Sequence, residues 1–150
     1  YDIRAVRSID DEAGLRRSQA LVDGLLAREQ ARGVPADRIV LAGFSQGCAM
    51  ALLTGLRYGQ RLAGLAGMSG YLPLAGLLAA ERSPANADVP VWLAHGTQDE
   101  MVALPRAAAS RDALQALGYR VDWHTYPMGH SVCVQEVADL HRWLLGVLAR

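Results

Sequence analysis

Ile39-Val40-Leu41-Ala42-Gly43 runs directly into Phe44-Ser45-Gln46-Gly47. The first five residues form a compact apolar run, the pattern of a parallel strand buried on both faces. Helical spacing begins at about Gln46 and continues to Tyr58. A serine held between such a strand and such a helix rides a sharp, strained turn that lifts its hydroxyl above the carboxyl end of the sheet. Gly43 and Gly47, two residues to either side, are expected because side chains there would collide in so tight a turn. The backbone N–H of Gln46 then points to the space where an oxyanion forms, helped by the helix dipole.

Working outward, Asp10 to Arg32 reads as a helix. Asp10, Asp11 and Glu12 place negative charge at its start, and Leu15, Leu21, Val22, Leu25 and Leu26 form its apolar stripe. Gly33 stops it and Pro35 opens a turn. A second apolar strand near Leu62 to Met68 leads to the turn Ser69-Gly-Tyr-Leu-Pro73. Leu74 to Glu81 reads as a short helix and Arg82 to Asp88 as a loop. Val89 to His95 is a third strand, with Pro90 where a missing N–H is tolerated. Pro105 to Leu117 is a helix ended by Gly118. Arg120 to Tyr126 alternates, with Val121, Trp123 and Thr125 on one face. Ser131 to Ala149 closes the chain as a helix with a stripe through Val134, Val137, Ala138, His141, Leu144, Leu145 and Leu148. Strands that alternate with helices predict the α/β class: one domain over residues 1–150, its parallel sheet covered on both faces.

Composition excludes several classes of function. The 150 residues carry 15 Arg, no Lys and 15 acidic residues, for a net charge of zero. A nucleic-acid or anionic-membrane partner needs a clustered basic surface, so neither is expected. No apolar run approaches the roughly 20 residues that span a bilayer, so stable membrane insertion is not expected. No leader pattern is visible, and the expected location is cytoplasmic. Cys48 and Cys133 are too few for a disulfide framework. Each follows a candidate site residue by three positions, which makes a regulatory disulfide conceivable, but two reduced, partly buried thiols are the simpler reading.

A serine hydroxyl needs a base to become nucleophilic, and the base needs an orienting acid. In this architecture they follow in the order Ser, acid, His. Asp99, in His95-Gly-Thr-Gln-Asp99, lies just past the third strand. His130, in Tyr126-Pro-Met-Gly-His130, lies just past the fourth. Both therefore share the carboxyl edge of the sheet with Ser45. Glu100 is the rival acid, but one residue on it faces another way; Asp88 and Asp122 are at the wrong edge. His95 reads as a hydrogen-bonding support for the acid loop, and His124 and His141 as packing residues. No H-x-x-x-H or H-E-x-x-H spacing occurs, nor any glycine-rich phosphate loop, so no metal and no nucleotide cofactor is expected.

With these residues in place, the chain resembles the carboxylesterase and acyl-protein thioesterase family of α/β-hydrolases, which includes lysophospholipases. The similar stretches are Tyr1-Asp-Ile3, Asp11-Glu-Ala-Gly14, Val34-Pro35 and Arg38-Ile-Val-Leu-Ala-Gly-Phe-Ser-Gln-Gly47, then Ser69-Gly-Tyr-Leu-Pro73, His95-Gly-Thr-Gln-Asp99 and Tyr126-Pro-Met-Gly-His130. The resemblance implies Ser45, Asp99 and His130 as a catalytic triad hydrolysing carboxylic or thioester bonds without a cofactor. Cys48 stands where the family usually has Gly, and Met101 where Val is common. Family members also begin well upstream of Tyr1, with strands and an H-G-rich loop that supplies a second oxyanion donor. The strand Ile39 to Gly43 is thus expected to lack one neighbour, and a chain truly starting at Tyr1 to be poorly soluble or nearly inactive.

The leading expected function is a serine esterase acting on short-chain acyl esters, with thioesters or lysophospholipids as further substrates, and with Gln46 N–H in the oxyanion hole. Leu72, Leu74 and Met101 are the candidate lining of the substrate pocket. A non-catalytic α/β-hydrolase scaffold that binds a ligand or partner, and a peptidase, are the other readings. The expected partner is a small-molecule acyl ester or thioester, with a homodimer left open.

Overall fold

Val40–Phe44 (β1), Gly64–Met68 (β2), Val91–Gly96 (β3) and Val121–Tyr126 (β4) form one parallel sheet whose spatial order is the chain order. The computed structural model describes residues 9–149. The helices are Ile9–Ala31 (α1), Gln46–Gly55 (α2), Ala75–Glu81 (α3), Leu104–Ala116 (α4) and Val134–Leu148 (α5). The α/β class and each strand and helix of the sequence reading are present, with ends displaced by at most three residues. Tyr1-Asp-Ile3, quoted above for the resemblance, lies outside the described residues.

Register sets the site. Phe44 pairs with Met68, Met68 with Ala94, and Gly96 with Tyr126, so all four strands finish along one edge. Alternation within the strands then builds two cores. Leu65, Val91 and Leu93 pack with Leu26, Cys48, Leu52, Leu56 and Leu114. Ala66, Trp92, Ala94 and Tyr126 face the other way, against Leu140 and Trp143 of α5. Each fully buried leucine of this kind stabilises the fold by about 1.5–3 kcal/mol. Gly64 lets α5 approach, because a methyl group there would overlap the Trp143 ring. Cys48 belongs to the first core and Cys133 packs against the second, so the two free thiols are segregated rather than neighbours.

Two polar knots fasten the helical layer. Glu81 at the end of α3 accepts from Arg57 Nε and Arg16 Nη2, each at 2.7 Å, and so ties α3 to the turn after α2 and to α1. Those hydrogen bonds hold the Glu81 carboxyl down to about 2. Buried Asn86 donates to the Tyr58 and Gln60 carbonyls and accepts the Leu62 N–H, fixing the approach to β2.

Four expectations are corrected. The inward line of α1 runs through Leu15, Val22 and Leu26, while Leu21 and Leu25 are 72% and 59% exposed. That helix meets the body along a narrow strip against α2, so a broad apolar stripe overstates its burial. In α5 the inward row is Glu136, Leu140, Trp143 and Val147, and Val134, Val137, His141 and Leu145 face outward. Large side chains at helical spacing meet the aromatic face of the sheet, which places Glu136 inside and leaves most of the predicted stripe, His141 included, outside, with only Leu144 and Leu148 half-buried. Among the described residues β1 pairs only with β2, as expected, but its Ala42 and Phe44 are exposed rather than covered on both faces. Gly47 is not required sterically by the described residues: among them a methyl group there meets nothing, whereas one at Gly43 would overlap the Gly47 backbone.

Candidate active site

β1 delivers Ser45 into a turn at φ 59°, ψ −117°, a conformation non-glycine residues rarely adopt. Three features hold it there. The Ser45 N–H donates to the Met68 carbonyl at 2.7 Å, anchoring the turn to the end of β2. The Ser45 carbonyl accepts the first bonds of α2, from Cys48 N–H at 3.0 Å and Ala49 N–H at 3.3 Å. Gly70 packs beneath, where a side chain would overlap the Ser45 carbonyl and Cys48. Ser45 precedes the helix without capping it, so its Oγ is left for another partner.

That partner is His130. Its Nε2 lies 3.0 Å from Ser45 Oγ and its Nδ1 2.8 Å from Asp99 Oδ2. The carboxylate only accepts, so Nδ1 carries the ring proton and the Nε2 lone pair faces the serine hydroxyl. Phe44 packs its ring 4.9 Å from the imidazole centroid and braces it from the side.

Asp99 is buried, and its second oxygen is fully used: Oδ1 accepts the Met101 and Val102 N–H groups, each at 2.8 Å. Burial alone would raise its pKa, but the Val102 N–H, His130 and the Met101 N–H together hold it below the ordinary carboxylate value. Glu100 is exposed and makes no bond to His130, which leaves Asp99 as the acid in contact.

The acid and histidine loops are laced by main-chain bonds from Thr97 N–H to Tyr126 O at 2.9 Å and Gln98 N–H to Met128 O at 3.0 Å. Gly96 makes this approach feasible, since a side chain there would overlap the Met128 and Gly129 carbonyls. Ser69, buried at φ 55°, adds a brace: its N–H reaches Ala94 O and its Oγ stands 3.5 Å from Ser131 O. Sequence reasoning missed Phe44, Gly96 and Ser69 as parts of this construction. The signal for Gly96 was present, a glycine between a strand end and an acid with no turn of its own to serve.

Gln46 is the first residue of α2, where N–H groups have no intrahelical acceptor. The remaining expectations divide. Met101 is 56% exposed beside Asp99, Leu74 is half-buried in a left-handed conformation, and Leu72 packs in the larger core. His124 packs between Trp92 and Tyr126, as a mid-strand histidine should. The Cys48 thiol, buried under the serine turn, is pushed up to about 12 and is inert.

A parallel sheet with a strained serine between strand and helix, and its acid and histidine on later strand ends, has the α/β-hydrolase fold. The chain belongs to the phospholipase/carboxylesterase family, whose profile matches residues 1–147. It is 37% identical over 150 residues to acyl-protein thioesterase 1 of Yarrowia lipolytica, covering 96% of this chain and 66% of that protein. With acyl-protein thioesterase 1 of Neurospora crassa it shares 43% over 144 residues, covering 93% and 58%. The crystal structure of Arabidopsis thaliana SOBER1 superposes with a TM-score of 0.87 at 27% identity, covering 91% of this chain and 66% of that one. The chain therefore spans about three-fifths to two-thirds of the length of these relatives. Among the described residues no helix is long and apolar enough to cross a membrane.

Proposed function

We propose that this chain carries the catalytic residues of a serine hydrolase that cleaves carboxylic esters and thioesters through an acyl-enzyme. The observation that carries the reading is the unbroken hydrogen-bonded series Ser45 Oγ, His130 Nε2, His130 Nδ1, Asp99 Oδ2 at one edge of the sheet. The names of the thioesterase relatives support the same class of substrate.

Each group has a role its surroundings suit. His130 Nε2 takes the Ser45 proton as Oγ attacks the acyl carbon, and the carbonyl oxygen becomes an oxyanion. The Gln46 N–H, at the positive end of α2, stabilises that oxyanion. The imidazolium then gives its proton to the departing alkoxide or thiolate, leaving the acyl group on Ser45. Water enters, loses a proton to His130 and attacks the acyl carbon; Ser45 Oγ leaves and recovers the proton. Asp99, kept ionised by its backbone donors, holds the productive tautomer throughout and is never protonated.

Phe44 and Met101 are exposed beside His130 and Asp99, and this apolar flank suits short acyl groups. A fluorophosphonate probe on the full-length protein tests the reading. Mass spectrometry should find the adduct on Ser45, and Ser45→Ala should abolish labelling and turnover of 4-nitrophenyl acetate. Absence of labelling on folded wild-type protein, or turnover that survives Ser45→Ala, overturns it. In a chain-length series of 4-nitrophenyl esters beside a thioester, activity should fall as the acyl chain grows; a preference for long-chain thioesters refutes the short-chain assignment.

A further inference from the structure

His95 is the penultimate residue of the fully buried β3 and is 1% exposed, yet the hydrolytic steps above do not use it. Its Nε2 lies 2.8 Å from the Val102 carbonyl oxygen and 3.5 Å from Asp99 Oδ2. Both neighbours are acceptors only, so Nε2 carries the ring proton. Val102 is therefore gripped twice: its N–H donates to Asp99 Oδ1, and its carbonyl accepts from His95. The three residues close a ring around the turn that presents the acid.

We propose that His95 is a positioning residue for the reaction: its Nε2–H fixes the turn through Val102 and so sets the torsion at which the Asp99 carboxylate meets His130. This rests on the hydrolase reading above. The terminal torsion of an aspartate is soft, so its plane is set by what holds its oxygens. Oδ1 is tied to the Met101 and Val102 N–H groups, and these move with the turn. Because the carboxylate is rigid, a tilt at Oδ1 swings Oδ2, which holds His130 at 2.8 Å. A shift of about 1 Å takes that contact beyond hydrogen-bond range. The titratable groups that contact Asp99 are His95 from β3 and His130 from the loop after β4.

Two substitutions in the full-length protein separate positioning from packing. His95→Phe keeps the ring volume and removes the donor; His95→Gln places an amide N–H near the former Nε2. For His95→Phe, kcat should fall by about 10²-fold with KM changed less than about threefold, the cost of a 1 Å misplacement in a bound geometry. The low-field proton resonance of His130 Nδ1–H should move upfield or vanish. His95→Gln should restore that resonance and most of kcat. If His95→Phe keeps both kcat and the resonance, or if His95→Gln is as impaired as His95→Phe, His95 is packing alone. Should the wild type neither label with fluorophosphonate nor turn over ester, the hydrolase reading fails; the resonance, compared between wild type and His95→Phe, still decides the role of His95.

Discussion

Gly96→Ala is a one-methyl change whose effect follows from the way two loops meet. The new Cβ would overlap the carbonyl oxygens of Met128 and Gly129, both main-chain atoms that no rotamer change can move. The loops must separate, and overpacking of this kind costs about 1–3 kcal/mol. Separation by about 1 Å also stretches the Gln98 N–H to Met128 O bond from 3.0 Å and the His130 Nδ1 to Asp99 Oδ2 bond from 2.8 Å beyond useful range. Each of the two lost bonds adds about 0.5–1.5 kcal/mol, for a total of about 2–6 kcal/mol. The same displacement should slow acylation of Ser45 by about 10²-fold. Urea denaturation and the rate of fluorophosphonate labelling measure the two effects. Gly47→Ala is the control, because its Cβ meets nothing among the described residues and alanine favours a helix by up to about 1 kcal/mol. It should label at the wild-type rate and be no less stable. If Gly96→Ala matches wild type in both assays, the loops have slack that the packing argument denies.

Asp99→Asn should stay folded and lose on the order of 10⁴ in kcat by favouring the wrong histidine tautomer; Glu100→Gln should remain within a few-fold in the same ester assay, and the reverse outcome would move the acid by one residue. Ser45→Gly should be inactive yet more stable by about 1–2 kcal/mol in denaturant, since glycine relieves the strain of the turn. Glu81→Gln leaves buried Arg57 without its charge partner and should cost about 1–3 kcal/mol at pH 7, a range reduced for the partial exposure of Glu81. The folded Glu81 carboxyl is depressed from 4.5 to about 2, so its contribution is present above pH 4.5 and lost as pH falls toward 2. The gap between wild-type and Glu81→Gln urea midpoints should narrow across that window; a gap unchanged at pH 2.5 refutes the assignment.

Strand identity was legible in the sequence because parallel strands are runs of apolar residues with little competing periodicity. The positions of Ser45, Asp99 and His130 along one edge were legible from the strand ends: Ser45 and Asp99 follow apolar runs, and His130 follows the alternating strand β4. Which face of a helix is buried was much less so. In α5 the apolar residues outnumber what one face can hold, and the choice was made by the shape of the sheet, which takes Trp143 and Leu140 and carries Glu136 in with them. Glycine roles were half-legible. Gly43 and Gly47 are equivalent in the motif, but only contacts in space show that the first is hemmed in by the second. Likewise Leu72 and Met101 are both apolar residues near the candidate site in sequence, and only the fold sends one to the core and leaves the other exposed beside Asp99.

The lacing of the loops after β3 and β4 has a mechanical consequence. Asp99 and His130 are joined through main-chain bonds on adjacent strands and a slot at Gly96 that admits no side chain, so they behave as one stationary part. Ser45 is carried on a different strand, and its hydroxyl is a single rotor free of any capping bond. On the proposed reading, a turnover cycle asks the nucleophile to lean toward an acyl carbon, hold it, and return. The movement falls on the serine χ1 torsion, while the dyad acts as a fixed stop against which the hydroxyl is repeatedly re-registered.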